Sequence, residues 1–107
     1  MAGSREYGAT FRSLFDTIIH KETGVNIASL ADGAGATQAV TVTGAALGDF
    51  VLVSFELDLQ DITVTAYVSA ANTVEIRVQN ESGGVIDLAA ATVNIVVLQP
   101  GRLWDRV

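Results

Sequence analysis

The stretch Ile62–Asn80, ITVTAYVSAANTVEIRVQN, decides the fold of this chain. On each side of the small-residue segment around Ala71 and Asn72, apolar and polar residues alternate one by one. A period of two is typical of a strand that buries one face, and a short segment rich in small and polar residues is typical of a tight turn. The stretch therefore predicts two antiparallel strands joined by a hairpin. The apolar positions are Ile62, Val64, Ala66 and Val68, followed by Val74, Ile76 and Val78.

Further strand patterns lie on both sides of this hairpin. They cover Val25–Leu30, Gln38–Thr43, Phe50–Leu57, Val85–Leu88 and Thr92–Leu98. The Phe50–Leu57 segment starts with apolar residues on both faces, which predicts a central strand covered on each side. About seven strands at roughly 10–12-residue spacing, with no helix between them, predict an all-β fold, an antiparallel β-sandwich or jelly-roll-like barrel. The composition agrees, since 31 Val, Ile and Thr residues stand against nine Leu.

The N-terminal segment has a different period. From Thr10 to His20 the apolar residues fall at helical spacing, which predicts a short amphipathic helix, although a strand template also fits Phe11, Phe15 and Ile19. Gly24 is suited to end a helix. We therefore expect a short helix or arm over residues 1–24, a β-sandwich domain over 25–99, and a C-terminal tail over 100–107.

Charge is distributed unevenly along the chain. The 6 Lys and Arg against 12 Asp and Glu give a net charge of −6, but residues 22–100 carry nine acidic residues and only one basic residue, Arg77. The negative charge of this central part repels the phosphate backbones of nucleic acids, so we expect no nucleic-acid partner. No apolar run approaches the roughly 20 residues that span a bilayer, and no secretory signal pattern is present, so we expect no membrane partner. The absence of Cys excludes disulfides and thiolate metal sites.

The residues that usually carry chemistry do not form a recognisable site in this sequence. His20 is the only histidine and has no neighbouring nucleophile motif. The acidic group Glu56, Asp58 and Asp61 lacks the glycine-bearing loop of a calcium site and matches a solvated strand end. Asn80-Glu81-Ser82 fits a glycosylation sequon but is also a turn sequence. We therefore predict no catalytic residues, no cofactor and no metal, and a protein that is not an enzyme.

The two ends of the chain hold apolar and aromatic residues that a sandwich core does not need. One interpretation is that they fold back and cover an open end of the sandwich. The other, which we favour, is that they dock on another chain, because aromatic side chains flanked by arginine are typical of interface hot spots. The predicted partner-binding residues are Arg5, Phe11, Arg12, Leu14, Phe15, Ile18, Ile19, Arg102, Leu103, Trp104 and Arg106.

Three segments carry a resemblance to a protein family. They are TVTGAALGD at Thr41–Asp49, AYVSAANTVEIRVQN at Ala66–Asn80, and GVID at Gly84–Asp87. Together they resemble the small virion proteins of tailed bacteriophages, in particular the capsid cement or head decoration proteins. The resemblance covers about residues 25–98 and consists of turn and strand patterns without catalytic residues. Residues 1–24 and 101–107 lie outside it.

The resemblance implies an all-β subunit, commonly a homotrimer, that binds the outer surface of the major capsid protein lattice. The chain is then expected on the virion, at the capsid surface, after synthesis in the host cytoplasm. Small β-proteins of phage tails and fibres have a similar appearance. The alternative is therefore a tail or fibre accessory domain that binds a host surface glycan, with Tyr67 and the polar residues around it as the place for the sugar.

Overall fold

Six β-strands form the protein between residues 15 and 100, the part of the chain that the computed structural model describes. The strands are β1 (Phe15–Val25), β2 (Gly35–Thr41), β3 (Phe50–Phe55), β4 (Ile62–Ala70), β5 (Thr73–Asn80) and β6 (Ala91–Pro100). They make two three-stranded antiparallel sheets, a first sheet in the order β1-β6-β3 and a second sheet in the order β2-β5-β4. The predicted all-β class with antiparallel strands is confirmed, but the described residues form six strands and not the predicted seven.

The core is built on the central strand of each sheet. Val74, Ile76 and Val78 of β5, and Val93, Ile95 and Val97 of β6, have no exposed surface. Because successive side chains of a strand point to opposite faces, these residues all point between the sheets. Each buried side chain of this size contributes about 1.5–3 kcal/mol through removal of apolar surface from water. The alternation in the sequence therefore sets which face of each sheet meets the other.

The predicted N-terminal helix is not confirmed. Its described part, Phe15 to His20, is strand, because β1 pairs residue by residue with β6 from Thr17–Gln99 to Val25–Ala91. Thr17, Ile18 and Ile19 are β-branched, which favours strand over helix once a partner strand is available. Residues 15–24, which were assigned to an arm, therefore lie in the first sheet. Residues 10–14 of the predicted helix lie outside the described residues.

Two of the seven predicted strands are reduced to a single contact. Val25 ends β1; in the rest of Val25–Leu30 and in Val85–Leu88, the pairing is an isolated bridge between Leu30 and Ile86, whose backbone amides and carbonyls exchange two 2.9 Å hydrogen bonds. Leu30 and Ile86 are nevertheless buried in the core. These segments therefore close one end of the sandwich with their side chains.

The prediction that Phe50–Leu57 is a central strand covered on both sides is wrong. Its strand, β3, lies at the edge of the first sheet, and β6 is central. The side chains of Val51 and Val53 pack against the core, whereas Phe50 and Leu52 on the opposite face are 45% and 59% exposed. The second apolar face of β3 is thus directed away from the core.

The two ends of the sandwich differ in chemistry. At what we call the terminal end, Phe15 pairs with Pro100, and the connection 42–49 and the turn 71–72 lie beside them. At the opposite end, which we call the loop end, the connections 26–34, 56–61 and 81–90 carry acidic residues and no Lys or Arg. The acidic residues of the loop end are Asp32, Glu56, Asp58, Asp61, Glu81 and Asp87.

Candidate functional site

The outer face of the first sheet carries a continuous group of apolar side chains. Two cross-strand rows define it: Ile18, Leu98 and Phe50 lie opposite one another, and Val96 and Leu52 lie opposite His20 in the next row. Their neighbours on β6, Val97 and Ile95, point into the core, so these rows point outward. We call this group the apolar face. It consists of Phe15, Ile18, Phe50, Leu52, Val96 and Leu98.

Three residues of the apolar face are accessible to solvent. Ile18 is 43% exposed, in addition to the exposed Phe50 and Leu52, whereas Leu98 between Ile18 and Phe50 is buried, with 7% of its surface exposed. Ile18, Phe50 and Leu52 are three of the six large hydrophobic side chains that are exposed within residues 15–100; the others are Leu47, Tyr67 and Val85. Single exposed apolar residues are ordinary, but neighbouring ones make this face a candidate interaction surface.

A bulge brings Phe15 onto the apolar face. The pairing of β1 with β6 shifts between Phe15 and Thr17, so that Phe15 lies opposite Pro100, two residues after Leu98. Phe15 then meets Phe50 edge to face, with ring centroids 6.5 Å apart and ring planes at 81°. Edge-to-face aromatic pairs add about 0.5–1.5 kcal/mol to the burial of their area. The bulge thus fixes an aromatic pair at the terminal end of the face.

Towards the loop end the same face becomes polar. His20 lies beside Asn94, with 3.3 Å between its Nε2 and the Asn94 Oδ1, and Glu22 and Ser54 flank Asn94 in the next row. His20 is therefore a side chain on the outer face of β1, and the hydrogen-bond partner that the structure shows for it is an amide. The apolar face is bounded on this side by neutral and charged polar groups.

Two of the segments that carry the family resemblance contact each other at the terminal end. Asn72, in the hairpin after β4, accepts a 2.8 Å hydrogen bond from the Gly44 amide on its Oδ1. Its backbone amide donates to the Ala45 carbonyl at 2.8 Å, and its carbonyl accepts from the Val42 amide at 2.9 Å. Asn72 holds a positive φ of 61°, which asparagine tolerates better than most residues. These motif residues therefore have a structural role that sequence alone does not reveal.

A second set of bonds ties the 42–49 connection to β6. The Gln99 side-chain amide donates to the Gly44 carbonyl at 2.9 Å and to the Asp49 carboxylate at 3.0 Å. The same Asp49 oxygen accepts the Ala46 amide at 2.9 Å. Gln99 is the penultimate residue of β6, so this network joins the 42–49 connection to the end of that strand.

The outer face of the second sheet is polar instead. Tyr67 is 49% exposed, and its hydroxyl donates to the Glu75 carboxylate. This hydrogen bond raises the pKa of Tyr67, and burial and the negative charge of Glu75 act in the same direction. Arg77 donates to Gln79 at 3.0 Å, and a Cβ at Gly35 would overlap both of these side chains. The glycine therefore leaves room for an ordered row of polar groups.

The acidic residues of the loop end accept hydrogen bonds from loop amides or face solvent. Asp32 accepts the Gly83 amide at 3.0 Å, and Asp58 accepts the Gln60 amide at 2.9 Å. No group of three or more His, Cys, Asp or Glu residues within 15–100 is placed to hold a metal ion. The sequon asparagine Asn80 has no exposed surface, and its side-chain amide is bonded to the Leu30 and Gly84 carbonyls. Asn80 is thus a structural residue.

The predicted partner-binding residues divide into three groups. Phe15 and Ile18 lie on the apolar face, whereas Ile19 points to the other side of β1 and packs against the core. The remaining eight lie outside the described residues: Arg5, Phe11, Arg12, Leu14, Arg102, Leu103, Trp104 and Arg106. Sequence reasoning missed Phe50, Leu52, Val96 and Leu98; the apolar residues on both faces of Phe50–Leu57 were the signal for the first two of them.

No helix within the described residues is long and apolar enough to cross a membrane. No protein-family model matches this chain, and no curated protein is significantly similar to it.

Proposed function

We propose that this chain is a structural virion protein, a capsid cement or decoration subunit of a tailed bacteriophage. In this role it binds the outer surface of the major capsid protein lattice as a homotrimer and stabilises the head. The observation that carries the proposal is the terminal end, where two of the three motif segments that resemble such proteins contact each other and where Phe15 pairs with Pro100. The role requires attachment and no catalytic step.

The pairing of Phe15 with Pro100 supports attachment through this end, because it places the first and last described residues side by side. Residues 1–14 and 101–107 follow from these two positions in the sequence. They contain four arginines, Arg5, Arg12, Arg102 and Arg106, together with Phe11 and Trp104. Aromatic and arginine side chains dominate the binding energy of many protein interfaces. The terminal end is therefore the part of the subunit that we assign to the capsid, with the acidic loop end directed to solvent.

Weak contacts are sufficient for such a role. Linking several binding segments in one oligomer makes each later contact intramolecular, which raises avidity without new interactions. A subunit that binds only the assembled shell stabilises it by mass action. A cement protein can therefore work through a few anchor residues in each copy.

Co-sedimentation with empty capsids tests the proposal. The wild-type protein should bind assembled capsids saturably, and Trp104→Ala should weaken binding at least about tenfold, the effect of losing about 1.4 kcal/mol from a hot spot. Tyr67→Ala, on the polar face of the second sheet, is the matched control and should bind like wild type. Wild-type protein that stays in the supernatant at saturating capsid concentration would contradict the proposal.

A glycan-binding accessory domain is the second candidate. It is favoured by the half-exposed Tyr67 ring beside the ordered Glu75 and Arg77 side chains. Sugar rings stack on aromatic faces, and charged side chains bond their hydroxyls. Binding to a glycan array that is lost in Tyr67→Ala, with no capsid binding, would select this candidate over the first.

A further inference from the structure

The β2 edge of the second sheet carries backbone groups that point away from the sheet. At one end of the β2 ladder the Val42 amide donates to the Asn72 carbonyl at 2.9 Å. At the other end the Asn80 amide donates to the Ala34 carbonyl at 2.9 Å. Because bonded and unbonded residues alternate along an antiparallel strand, every second residue between these ends directs its amide and carbonyl away from β5. These residues are Gly35, Thr37, Ala39 and Thr41.

This edge is open and lacks the usual protection of a free edge. Thr37, Gln38, Ala39 and Thr41 are exposed, and β2 contains neither a charged residue nor a proline. Lys, Pro or a covering segment commonly protects such edges. The other edge strand of this sheet, β4, lies beside β3 of the first sheet instead. The β2 edge is therefore available to another strand.

We infer that the β2 edge pairs with the β2 edge of a second copy of this chain, antiparallel and about a twofold axis at Gln38. The two second sheets then join into one sheet of six strands. The inference goes beyond the proposed function and does not depend on it. A twofold contact joins two copies and does not close a ring of three, so in a trimeric assembly it would link neighbouring trimers.

The length of β2 suits this pairing. With the axis at Gln38, Gly35 lies opposite Thr41 of the second copy. Thr37 then lies opposite Ala39 of the second copy. All the outward-pointing residues of both strands find partners, which gives about eight backbone hydrogen bonds across the edge. The Gln38 side-chain amide, which donates to the Ala39 carbonyl at 3.1 Å in the single chain, meets the Gln38 side chain of the second copy at the axis.

The inner side chains of β2 match across the same axis. Ala36 and Val40 are partly buried and pack against the core. In this register Ala36 lies opposite Val40 of the second copy, and the twofold axis repeats the contact. Cross-strand apolar pairs of this kind stabilise a sheet. Pairing therefore continues the apolar layer of each sandwich across the edge.

The position of Arg77 favours a second copy as the occupant of this edge. Arg77 is the one basic residue between 22 and 100, and its guanidinium donates to neutral oxygens, Thr37 Oγ1 at 3.4 Å and Gln79 Oε1 at 3.0 Å. Thr37 belongs to β2, and a Cβ at Gly35 of β2 would overlap the guanidinium. The Arg77 side chain therefore extends over β2, towards the free edge.

Pairing brings this cation towards an acidic residue of the second copy. Arg77 lies opposite Thr37, and Glu75 lies opposite Ala39, so the proposed register places Arg77 and Glu75 of the second copy in one row on the outer face. Three strand spacings of about 4.8 Å put their Cα atoms about 14 Å apart, and only the small Thr37 and Ala39 side chains lie between. Extended Arg and Glu side chains span this distance. The twofold axis produces two such ion pairs, which an unrelated strand would not supply.

Sedimentation equilibrium of charge-swapped variants tests the inference. Wild type should associate reversibly in multiples of two chains. Arg77→Glu places like charges in both rows and should raise the dissociation constant at least about tenfold. The double variant Glu75→Arg/Arg77→Glu has the net charge of the wild type and exchanged partners, so it should associate like the wild type. Wild type with the mass of one or three chains at all concentrations, or a double variant that associates no better than Arg77→Glu, would overturn the inference.

Cysteine cross-linking tests the position of the axis. The chain contains no Cys, so Gln38→Cys introduces a single thiol. Residues directly opposite in a non-hydrogen-bonded pair have Cα atoms about 4.5 Å apart, which is within the range of a disulfide. Oxidation should link Gln38→Cys into covalent dimers and leave the matched control Thr63→Cys, at an exposed position of β4, as a monomer. Equal yields from both variants, or no dimer from Gln38→Cys, would overturn the inference.

Capsid co-sedimentation separates this inference from the proposed function. A protein that pairs through β2 but does not bind capsids would refute the capsid role and leave the β2 contact standing. A trimer that binds capsids and forms no Gln38→Cys dimer would refute the β2 contact and leave the capsid role standing.

Discussion

Replacing Asn80 by alanine is expected to lower the free energy of unfolding by about 3 kcal/mol. The Asn80 side chain has no exposed surface and makes three hydrogen bonds. It donates to the Leu30 and Gly84 carbonyls, both at 2.8 Å, and accepts the Ser82 amide at 3.0 Å. A hydrogen bond of this kind contributes about 1 kcal/mol net, so the loss of three gives the stated magnitude.

The effect should be large because Asn80 joins segments that have little other secondary structure. Leu30 and Gly84 lie in two connections that are joined by the isolated Leu30–Ile86 bridge and by the hydrogen bond from Gly83 to Asp32. The Gly33 amide also donates to the Asn80 carbonyl at 2.7 Å, and the Asn80 amide donates to the Ala34 carbonyl at 2.9 Å. Loss of the side chain therefore weakens the closure of the loop end. For a small domain, a loss of 3 kcal/mol is a large fraction of the total of about 5–15 kcal/mol.

Urea unfolding followed by far-UV circular dichroism measures this effect, at one protein concentration for all variants. Asn26→Ala, at an exposed asparagine between β1 and β2, is the matched control and should change stability by less than about 0.5 kcal/mol. Asn80→Asp keeps the acceptor for Ser82 but turns carboxylate oxygens towards two carbonyls, so it should destabilise more than alanine does. A difference of less than about 1 kcal/mol between Asn80→Ala and Asn26→Ala would refute the reasoning.

Two further predictions concern the terminal end and the polar face. Asn72→Ala should cost about 2 kcal/mol, because it removes the bond to Gly44 and because alanine tolerates a φ of 61° less well than asparagine does. Asn72→Gly also loses the bond but fits this φ, so it should cost about half as much, and urea midpoints will show the order. Tyr67 should ionise above its ordinary pKa of 10.0, since only the protonated hydroxyl donates to Glu75. The stabilisation from this contact is then complete below pH 10 and is lost as the pH rises through the raised pKa. Glu75→Gln should move the phenolate absorbance transition back towards 10, and an unmoved transition would assign the shift to another cause.

The strands that could be predicted are those whose own residues alternate between apolar and polar. Ile62–Val68 and Val74–Val78 alternate so strictly that only one face can be buried, and β4 and β5 were predicted nearly to their ends. The segment before His20 fits the helical period better than the strand period, and it forms a strand because a partner strand is available. The free edge of β6 supplies that partner, and it is more than 70 residues away in sequence.

The candidate surface was predicted only in part, for a related reason. Phe15 and Ile18 were singled out by their apolar pattern, but their position on one face with Leu52 and Val96 requires the β1-β6-β3 order and the bulge after Phe15. Apolar residues on both faces of β3 have two explanations at the level of sequence. The strand can be central and covered on each side, or it can lie at the edge of a sheet with an exposed apolar outer face. Strand order is set by long-range pairing, which no local pattern encodes.

By itself, the sequence determined that this protein is all-β, that its acidic charge lies in the body, and which residues of β5 and β6 form the core. These properties follow from side-chain period and composition, which are local. The tertiary structure alone decided that Phe15–Val25 is an edge strand, that Asn72 joins two distant motifs, and that an apolar face is left on the outside of the first sheet. Each of these depends on which segments become neighbours, and that choice is made by the burial of the whole core at once.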